Sequence, residues 1–415
     1  MRILVFSQHF WPESFRINDV VRQLHAAGHQ VSVLTGQPNY PGGAVFSGYR
    51  AAASGVEDWQ GVPIHRVPLL PRGQPSALRL VGNYLSFIAS GATFGAWRLR
   101  GQSFDVILVY ATSPLLQALA AVALARLKHC ALVTWVQDLW PQSLQVTGYV
   151  RHPRALAAVA AVVRWIYARN TLLLVPSQAF VAPVRALAPG RVPVLWHPNP
   201  GDDADAAIDD AVASPALRLS PGFNIVFAGN LGLAQALDAV LDAAAQLQDL
   251  ADVRFVLVGS GQRSDWLAEQ VHARGLENID LPGRFEPAQM AGIYAQAQAL
   301  LVSLKSDPAM ALTVPSKVQS YLAAGRPILA ALDGEGARLV TEGGAGIASP
   351  GGDGTALAAA VRHLHALPEA ERQRMGEAGR RLYAEHFSPA RLTPRLLAHL
   401  RDAATRHRAG GWVGD

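Results

Sequence analysis

Thr313, Ser316 and Lys317 stand close together in the run LTVPSK, and the residues that follow read as a helix ending on Gly325. Two hydroxyls, an ammonium and the free N–H groups of a helix that opens at Pro315 form a set suited to a phosphate. The flanking runs ALLVSL and PILAAL are continuously apolar, as buried parallel strands are. Lys305 and Asp307 lie in the loop after the first of them. Ligands of open parallel sheets settle where strands hand over to helices, and this loop is such a place. The same residues also fit an ordinary strand–loop–helix in which Ser-Pro-Lys merely starts the helix.

Two glycine turns upstream have related chemistry. Gly229-Asn230-Leu231-Gly232 follows the apolar run NIVFAG, and Gly259-Ser260-Gly261 follows VRFVLV. Glycine at a strand–helix turn lets the backbone come close to a phosphate or ribose. A plain turn is the alternative for each.

These segments belong to a chain that repeats one pattern twice. In the first half RILVF (Arg2–Phe6), Gln30–Leu34, VILVY (Val106–Tyr110), ALVTWV (Ala131–Val136) and Thr171–Ser177 read as strands. Helices read over Ile17–Ala27, stopped by Gly28, and Leu115–Leu127. The second half restarts at Asn224, with a helix over about Gln235–Leu247 and a strand in Val253–Gly261. After Thr355 the chain reads as helical to about Thr405, with a break at His386–Pro389. Alternation of this kind implies an α/β architecture of two parallel-sheet domains. The expected division is 1–200, a linker and loop over 201–222, a second domain over 223–385 and a terminal helix over 386–415.

Composition narrows the class. The 415 residues are 50% hydrophobic and 16% charged, with a formal charge of +5. The chain is therefore globular, and its basic excess is too dispersed to argue for nucleic acid. Cys130 is the single cysteine, so neither an internal disulfide nor a cysteine zinc site is expected. There is no signal-peptide pattern and no apolar run near the roughly 20 residues of a spanning helix. A cytoplasmic location follows as the expectation. No GxGxxG follows the first strand, which disfavours a dinucleotide, and no cofactor is expected.

Four segments resemble a known family: HFWPESFRIND, TGQPNYPGG, WVQDLWPQSL, and the long run from LPGRFEP through VSLKSDP and LTVPSKVQSYLAAGRPILAAL to DGEGARLV. The chain is similar to retaining glycosyltransferases of the GT4 type. Among them it most resembles bacterial colanic-acid and O-antigen enzymes such as L-N-acetylfucosaminyl or fucosyl transferases. The resemblance implies the GT-B fold, two Rossmann-like domains facing a central cleft. It implies an acceptor in the first domain and a UDP- or GDP-sugar in the second. The acceptor class implied is a polyprenyl-diphosphate-linked saccharide, with peripheral contact at the inner membrane face. One departure stands out: the two glutamates usual in this family fall at Leu312 and Ser320. Donor contacts must then come from elsewhere, with Asp307, Thr313 and Gln319 as candidates.

Other positions follow from the resemblance combined with chemistry. Arg284, Lys305 and Lys317 are cations able to stabilise a departing diphosphate; the resemblance supports Arg284 and Lys317 more than Lys305. Gly259 and Gly261 are implied to lie near the base. Asp138 occupies the second position of a family His-Asp pair, whose first position here is Gln137. It could orient or deprotonate the acceptor hydroxyl, or cap a helix. His9 and Glu13 are rival bases. Trp11, Asn39 and Tyr40 suit a sugar, and Arg16 either joins them or pairs with Asp19. Leu78–Leu99 reads as a packed helix or as an interfacial one. No Asp-x-Asp site is evident, so metal independence is expected. The rival readings are a nucleotide-sugar epimerase or hydrolase, and an inactive scaffold.

Overall fold

The computed structural model describes residues 1–74, 76–146, 152–201 and 216–410. Residues 202–215 of the expected linker and 411–415 of the expected terminal helix lie outside the described residues. The chain divides into two compact units, Met1–Pro200 with Leu392–Asp415, and Gly201–Arg391.

The first unit contains β1 (Arg2–Phe6), α1 (Arg16–Ala26), β2 (Gln30–Thr35), β3 (Gly55–Trp59), β4 (Val62–Arg66), α2 (Ala77–Arg98), β5 (Val106–Ala111), α3 (Ala118–Lys128), β6 (Ala131–Val136), α4 (Gln142–Val146), α5 (Pro153–Tyr167), β7 (Leu172–Val175), α6 (Val181–Leu187) and β8 (Val194–Trp196). Its sheet runs β3-β4-β2-β1-β5-β6-β7-β8 and is parallel except for the β3–β4 pair. Every residue of β5 and β6 is buried, which is why those strands read as unbroken apolar runs. On α1 the core-facing Ile17, Val20, Val21 and Leu24 keep the spacing of one helix face. Gly28, at φ +81°, ends that turn as the sequence suggested.

The second unit contains β9 (Phe223–Ala228), α7 (Leu237–Gln246), β10 (Val253–Val258), α8 (Ser264–Ala273), β11 (Ile279–Gly283), α9 (Met290–Tyr294), β12 (Ala299–Ser303), α10 (Ser316–Ala324), β13 (Ile328–Ala331), α11 (Glu335–Glu342), β14 (Gly346–Ser349), α12 (Gly354–Ala366) and α13 (Glu369–His386). Its sheet, β11-β10-β9-β12-β13-β14, is parallel throughout. The helix expected over 235–247 is shorter at its start. A 3-10 turn at Leu233–Gln235 leads to Ala236 in the left-handed region (φ +46°), and α7 begins only at Leu237.

The last helix, α14 (Pro389–Gly410), belongs with the first unit from Leu392 onward. Leu396, Leu397, Leu400 and Ala403 share a core with Ile3, Val5 and Val31, and the Thr393 hydroxyl donates to the Gln23 side chain at 2.9 Å.

Setting aside the antiparallel β3 at the edge, the parallel strands of each sheet reverse their order once, at β1/β5 in the first unit and at β9/β12 in the second. The loops leaving the carboxyl ends of these strands flank the crevices where such sheets bind ligands.

The second unit also uses local capping devices of ordinary strength. Asp353 caps α12, its carboxylate accepting from the Ala356 N–H at 2.9 Å. Asp353→Ala is expected to lower unfolding stability by about 1 kcal/mol in urea titration.

Candidate functional site

In the second unit the loop after β9 and the start of α10 converge. Gly229 (φ +135°) donates its N–H to Val258 O at 2.9 Å, and Leu231 does the same to Ser260 O at 3.0 Å. These bonds lay the two glycine turns side by side. The approach is so close that a Cβ on Gly259 would lie 1.9 Å from the Gly229 carbonyl oxygen. A Cβ on Gly229 would lie 2.6 Å from Lys317 Cε. Lys317, in the first turn of α10, thus reaches back over the β9 turn.

Its Nζ is buried, sits 3.6 Å from the centre of the Phe227 ring, and has no hydrogen-bond partner among the described residues. Burial pulls its pKa down to about 7. A ring face compensates an ammonium only in part. The start of α10 has no side-chain cap, Pro315 being its N-cap residue. Tyr321 secures the turn from behind, its phenol oxygen accepting from the Ala228 N–H at 2.8 Å.

A cavity of about 1230 Å³ opens beside these groups, walled by Gly229, Asn230, Gly259, Ser260, Gly261 and Arg284. Met290, Tyr294, Ser320, Arg326 and Arg380 also line it, and no carboxylate lines it among the described residues. The cavity offers an anion glycine backbone and arginines beside an apolar and aromatic wall; the buried Lys317 ammonium is not itself among the lining residues but lies against one of them, Gly229.

The remaining donor-side candidates are placed differently. Gly232 donates its N–H to the Gln235 side chain at 3.2 Å, and Ser316 is exposed at the head of α10. The Thr313 hydroxyl donates to Met310 O at 2.8 Å within its own loop. Asp307 likewise caps that loop, accepting from the Ala309 and Met310 N–H groups at 2.9 and 3.0 Å. Short polar side chains beside a turn satisfy the nearest backbone groups first. Gln319 is buried. Lys305 is exposed, its N–H held by Ala234 O at 2.9 Å, and its charge is felt by Asp238.

In the first unit the β1 loop folds inward. His9 and Glu13 are each 2% exposed, and His9 Nδ1 lies 3.0 Å from the Glu13 carboxylate. Glu13 Oε1 also accepts the N–H groups of Asn39 and Tyr40 at 2.8 and 2.7 Å. Asn39 has no exposed surface, contrary to an acceptor-binding role. Its amide donates to Gln37 O at 2.9 Å and its oxygen accepts from the Arg72 N–H at 3.3 Å. Trp11 and Tyr40 remain 38% and 40% exposed and can present ring faces to a ligand. Arg16 pairs with Asp19 at 3.6 Å.

Asp138 follows β6. Helix α4 begins only at Gln142, so Asp138 is not its N-cap residue. Burial raises its carboxyl pKa, a backbone hydrogen bond from Ser113 offsetting this only in part. Beside it, the Gln137 side-chain oxygen accepts from Asn199 at 2.7 Å, and the Tyr110 hydroxyl lies 3.5 Å from the Asn199 side-chain oxygen. His197 is buried against Trp135 and His399, ring centres 5.0 and 5.5 Å away, which fixes it as a packing residue.

Arg72, Tyr294, Tyr321, Arg326 and Arg380 line or brace these places but have no distinctive sequence signal. Arg326 and Arg380 reach the cavity from separate segments, an arrangement only the tertiary fold reveals.

Comparison with known proteins bears on family and fold. Residues 14–200 match the glycosyl transferase 4-like domain, and residues 222–366 match glycosyl transferases group 1. A putative colanic acid biosynthesis glycosyl transferase, WcaI of Escherichia coli K12, is 27% identical over 345 residues, covering 78% of this chain and 82% of that protein. Among solved structures, sucrose-phosphate synthase from Thermosynechococcus elongatus superposes with a TM-score of 0.73 at 17% identity, over 98% of this chain and 100% of that one. Anabaena HepE in complex with UDP gives 0.69 at 14% identity, over 97% and 100%. The trehalose 6-phosphate synthase of Burkholderia multivorans gives 0.73 at 14% identity, over 98% and 99%. With both domain families matched in order along most of its length, the chain belongs to the group 1 glycosyltransferases of the GT4 family and has the GT-B fold.

Proposed function

We propose that this enzyme moves a sugar, with retention, from a UDP- or GDP-sugar to a polyprenyl-diphosphate-linked saccharide in surface-polysaccharide synthesis. The observation that carries the reading is the buried, unpartnered Lys317 ammonium over the Gly229 turn at the strand-order reversal. A diphosphate placed there gains a charge-assisted bond, and more as its negative charge grows during bond breaking. The route we favour is front-face displacement: the glycosidic C–O bond to the diphosphate breaks, and the acceptor oxygen bonds to the same face of the sugar. The departing phosphate oxygen takes the acceptor proton. Asp138 would orient the acceptor hydroxyl, with His9 as the rival group.

UDP is the preferred probe because a structure of similar fold, HepE, was solved with UDP-glucose. The colanic acid assignment of the E. coli relative supports the polysaccharide setting. At 100 times its dissociation constant, the correct nucleotide is expected to add about 2.7 kcal/mol of stability in a thermal-shift screen of UDP, GDP and their sugars. No shift with any of them would remove the transferase reading. Donor turnover that proceeds equally well without acceptor would favour the epimerase or hydrolase instead.

Among the described residues no helix is long and apolar enough to cross a membrane. Contact with the bilayer is proposed through α2, where Leu78, Val81 and Leu85 form an exposed stripe at 85%, 51% and 57% exposure. The helix has no acidic residue and contains Arg79 and Arg98. Binding to vesicles containing phosphatidylglycerol, lost in Leu78→Asp/Leu85→Asp, is the expected result of co-sedimentation.

A further inference from the structure

Arg72 lies on the loop between β4 and α2, and its side chain is engaged in an unusual way. One terminal nitrogen is 3.1 Å from His9 Nε2. The guanidinium stacks on Tyr40 and Tyr84, 5.1 and 5.7 Å from their ring centres. Its Nε is buried with no partner, and no carboxylate pairs with it among the described residues. Glu13, the nearest carboxylate in this network, is occupied by His9 and by two backbone N–H groups.

A guanidinium only donates, so His9 Nε2 accepts from it. The ring proton is then on Nδ1 and is donated to Glu13. In this state the one nitrogen of His9 that could accept a hydrogen bond from the acceptor hydroxyl is covered by Arg72. The charge of Arg72, meanwhile, is met only by a neutral lone pair and two ring faces. Both are weak substitutes for an oxyanion, which a planar guanidinium binds through two parallel bonds.

The surroundings indicate which oxyanion. Tyr40, 40% exposed, lies against the guanidinium and keeps ring surface open to solvent. Leu70, two residues before Arg72, is 60% exposed and lies against α2 at Gly82, continuing the apolar stripe of Leu78, Val81 and Leu85. Ring face, cation and exposed hydrocarbon in that order match a saccharide, a phosphoryl group and a lipid chain.

We propose that Arg72 receives a phosphoryl oxyanion of the acceptor and, by turning toward it, uncovers His9 Nε2 for the acceptor hydroxyl. The proposal rests on the transferase reading above and adds to it a positioning residue that couples acceptor recognition to His9. No bond to carbon changes in this step; one hydrogen bond from Arg72 is exchanged for others.

The test is nitrogen-15 NMR of the full chain labelled at histidine, saturated with UDP so that the second unit is filled. The His9 signals are assigned by their loss in His9→Asn. Inorganic pyrophosphate and geranyl diphosphate are titrated in, with geraniol as the uncharged control. The expected result is a saturable shift of the His9 Nε2 resonance with both diphosphates and none with geraniol. A tighter response to geranyl diphosphate assigns the phosphoryl group to a lipid; equal responses assign it to the phosphate alone. Arg72→Gln is expected to weaken the response about tenfold or more, and Arg72→Lys to retain part of it. A silent His9 with both diphosphates, or unchanged saturation in a folded Arg72→Gln protein, overturns the proposal. Absence of any thermal shift with UDP, GDP or their sugars would instead remove the transferase reading, whatever His9 does.

Discussion

Replacing Lys317 with methionine is expected to lower kcat/KM by about a hundredfold or more while making the free protein more stable at neutral pH. The loss follows from removing a fixed cation where the leaving diphosphate gathers charge, which commonly costs about 3 kcal/mol of transition-state stabilisation. The gain follows from burial. In the folded chain burial lowers the Lys317 pKa to about 7, whereas in the unfolded chain it is near 10.4. Between these values the unfolded chain holds a proton that the folded one has lost. Stability from this group therefore rises with pH across that window, by about 1.4 kcal/mol per unit at most. Below pH 7 both states are protonated, and the full cost of the buried charge is present. Methionine, apolar and flexible enough to lie on Phe227, removes that cost and the slope with it. Urea titrations of both proteins from pH 6 to 9 read the effect. Equal slopes, or a less stable variant at pH 6, would show that Lys317 is solvated.

The same linkage reaches binding. A diphosphate needs the ammonium, so above about pH 7 donor binding must take up a proton. Affinity for a UDP-sugar, which has no phosphate group titrating in this range, should fall as pH rises. Calorimetry in buffers of different ionisation enthalpy reports that proton directly.

Much of this site could be read from the sequence because it is built on buried parallel strands. Such strands must be apolar throughout, so NIVFAG, VRFVLV, ALLVSL and PILAAL announce themselves and fix the turns that follow. The C-cap of α10 was also legible, since Gly325 takes the left-handed conformation (φ +65°) that other residues avoid. The β3–β4 hairpin was not. Its strand Gly55–Trp59 is half exposed and contains Glu57 and Asp58, and its turn uses Gln60 at φ 55° before Gly61 rather than the usual asparagine. Ala236 hid the late start of α7 for the same reason: a residue with high helix propensity occupies a left-handed position. Asn39 looked like a ligand group because amides suit sugars, yet it is buried as a brace of the Arg72 loop. Polar residues of one type can bind or brace, and only their three-dimensional neighbours separate the two.

Gly259→Ala is the second variant with a large expected effect, and it tests the backbone of the site rather than its charge. Gly259 has φ +145°, and its added Cβ would meet the Gly229 carbonyl oxygen at 1.9 Å and carbon at 2.9 Å. The obstacle is backbone on a neighbouring strand end, bonded to β10 through Gly229 N–H and Val258 O at 2.9 Å, so no side chain can swing aside. The ends of β9 and β10 would have to separate, moving the Gly229 turn away from Lys317. Loss of UDP binding by about a hundredfold or more is expected, with a stability cost of about 1–3 kcal/mol from the strained conformation. Two controls separate the causes. Gly28→Ala has a positive φ of +81° but nothing within 4 Å of its Cβ, so it should show backbone strain without loss of nucleotide. Gly229→Ala shares the positive φ (+135°), but the nearest atoms to its Cβ are Lys317 Cε at 2.6 Å and Nζ at 3.1 Å, a flexible side chain, so beyond that strain it should displace the ammonium without forcing the two strand ends apart. If Gly259→Ala binds UDP as tightly as the wild type does, the diphosphate does not lie between these two turns.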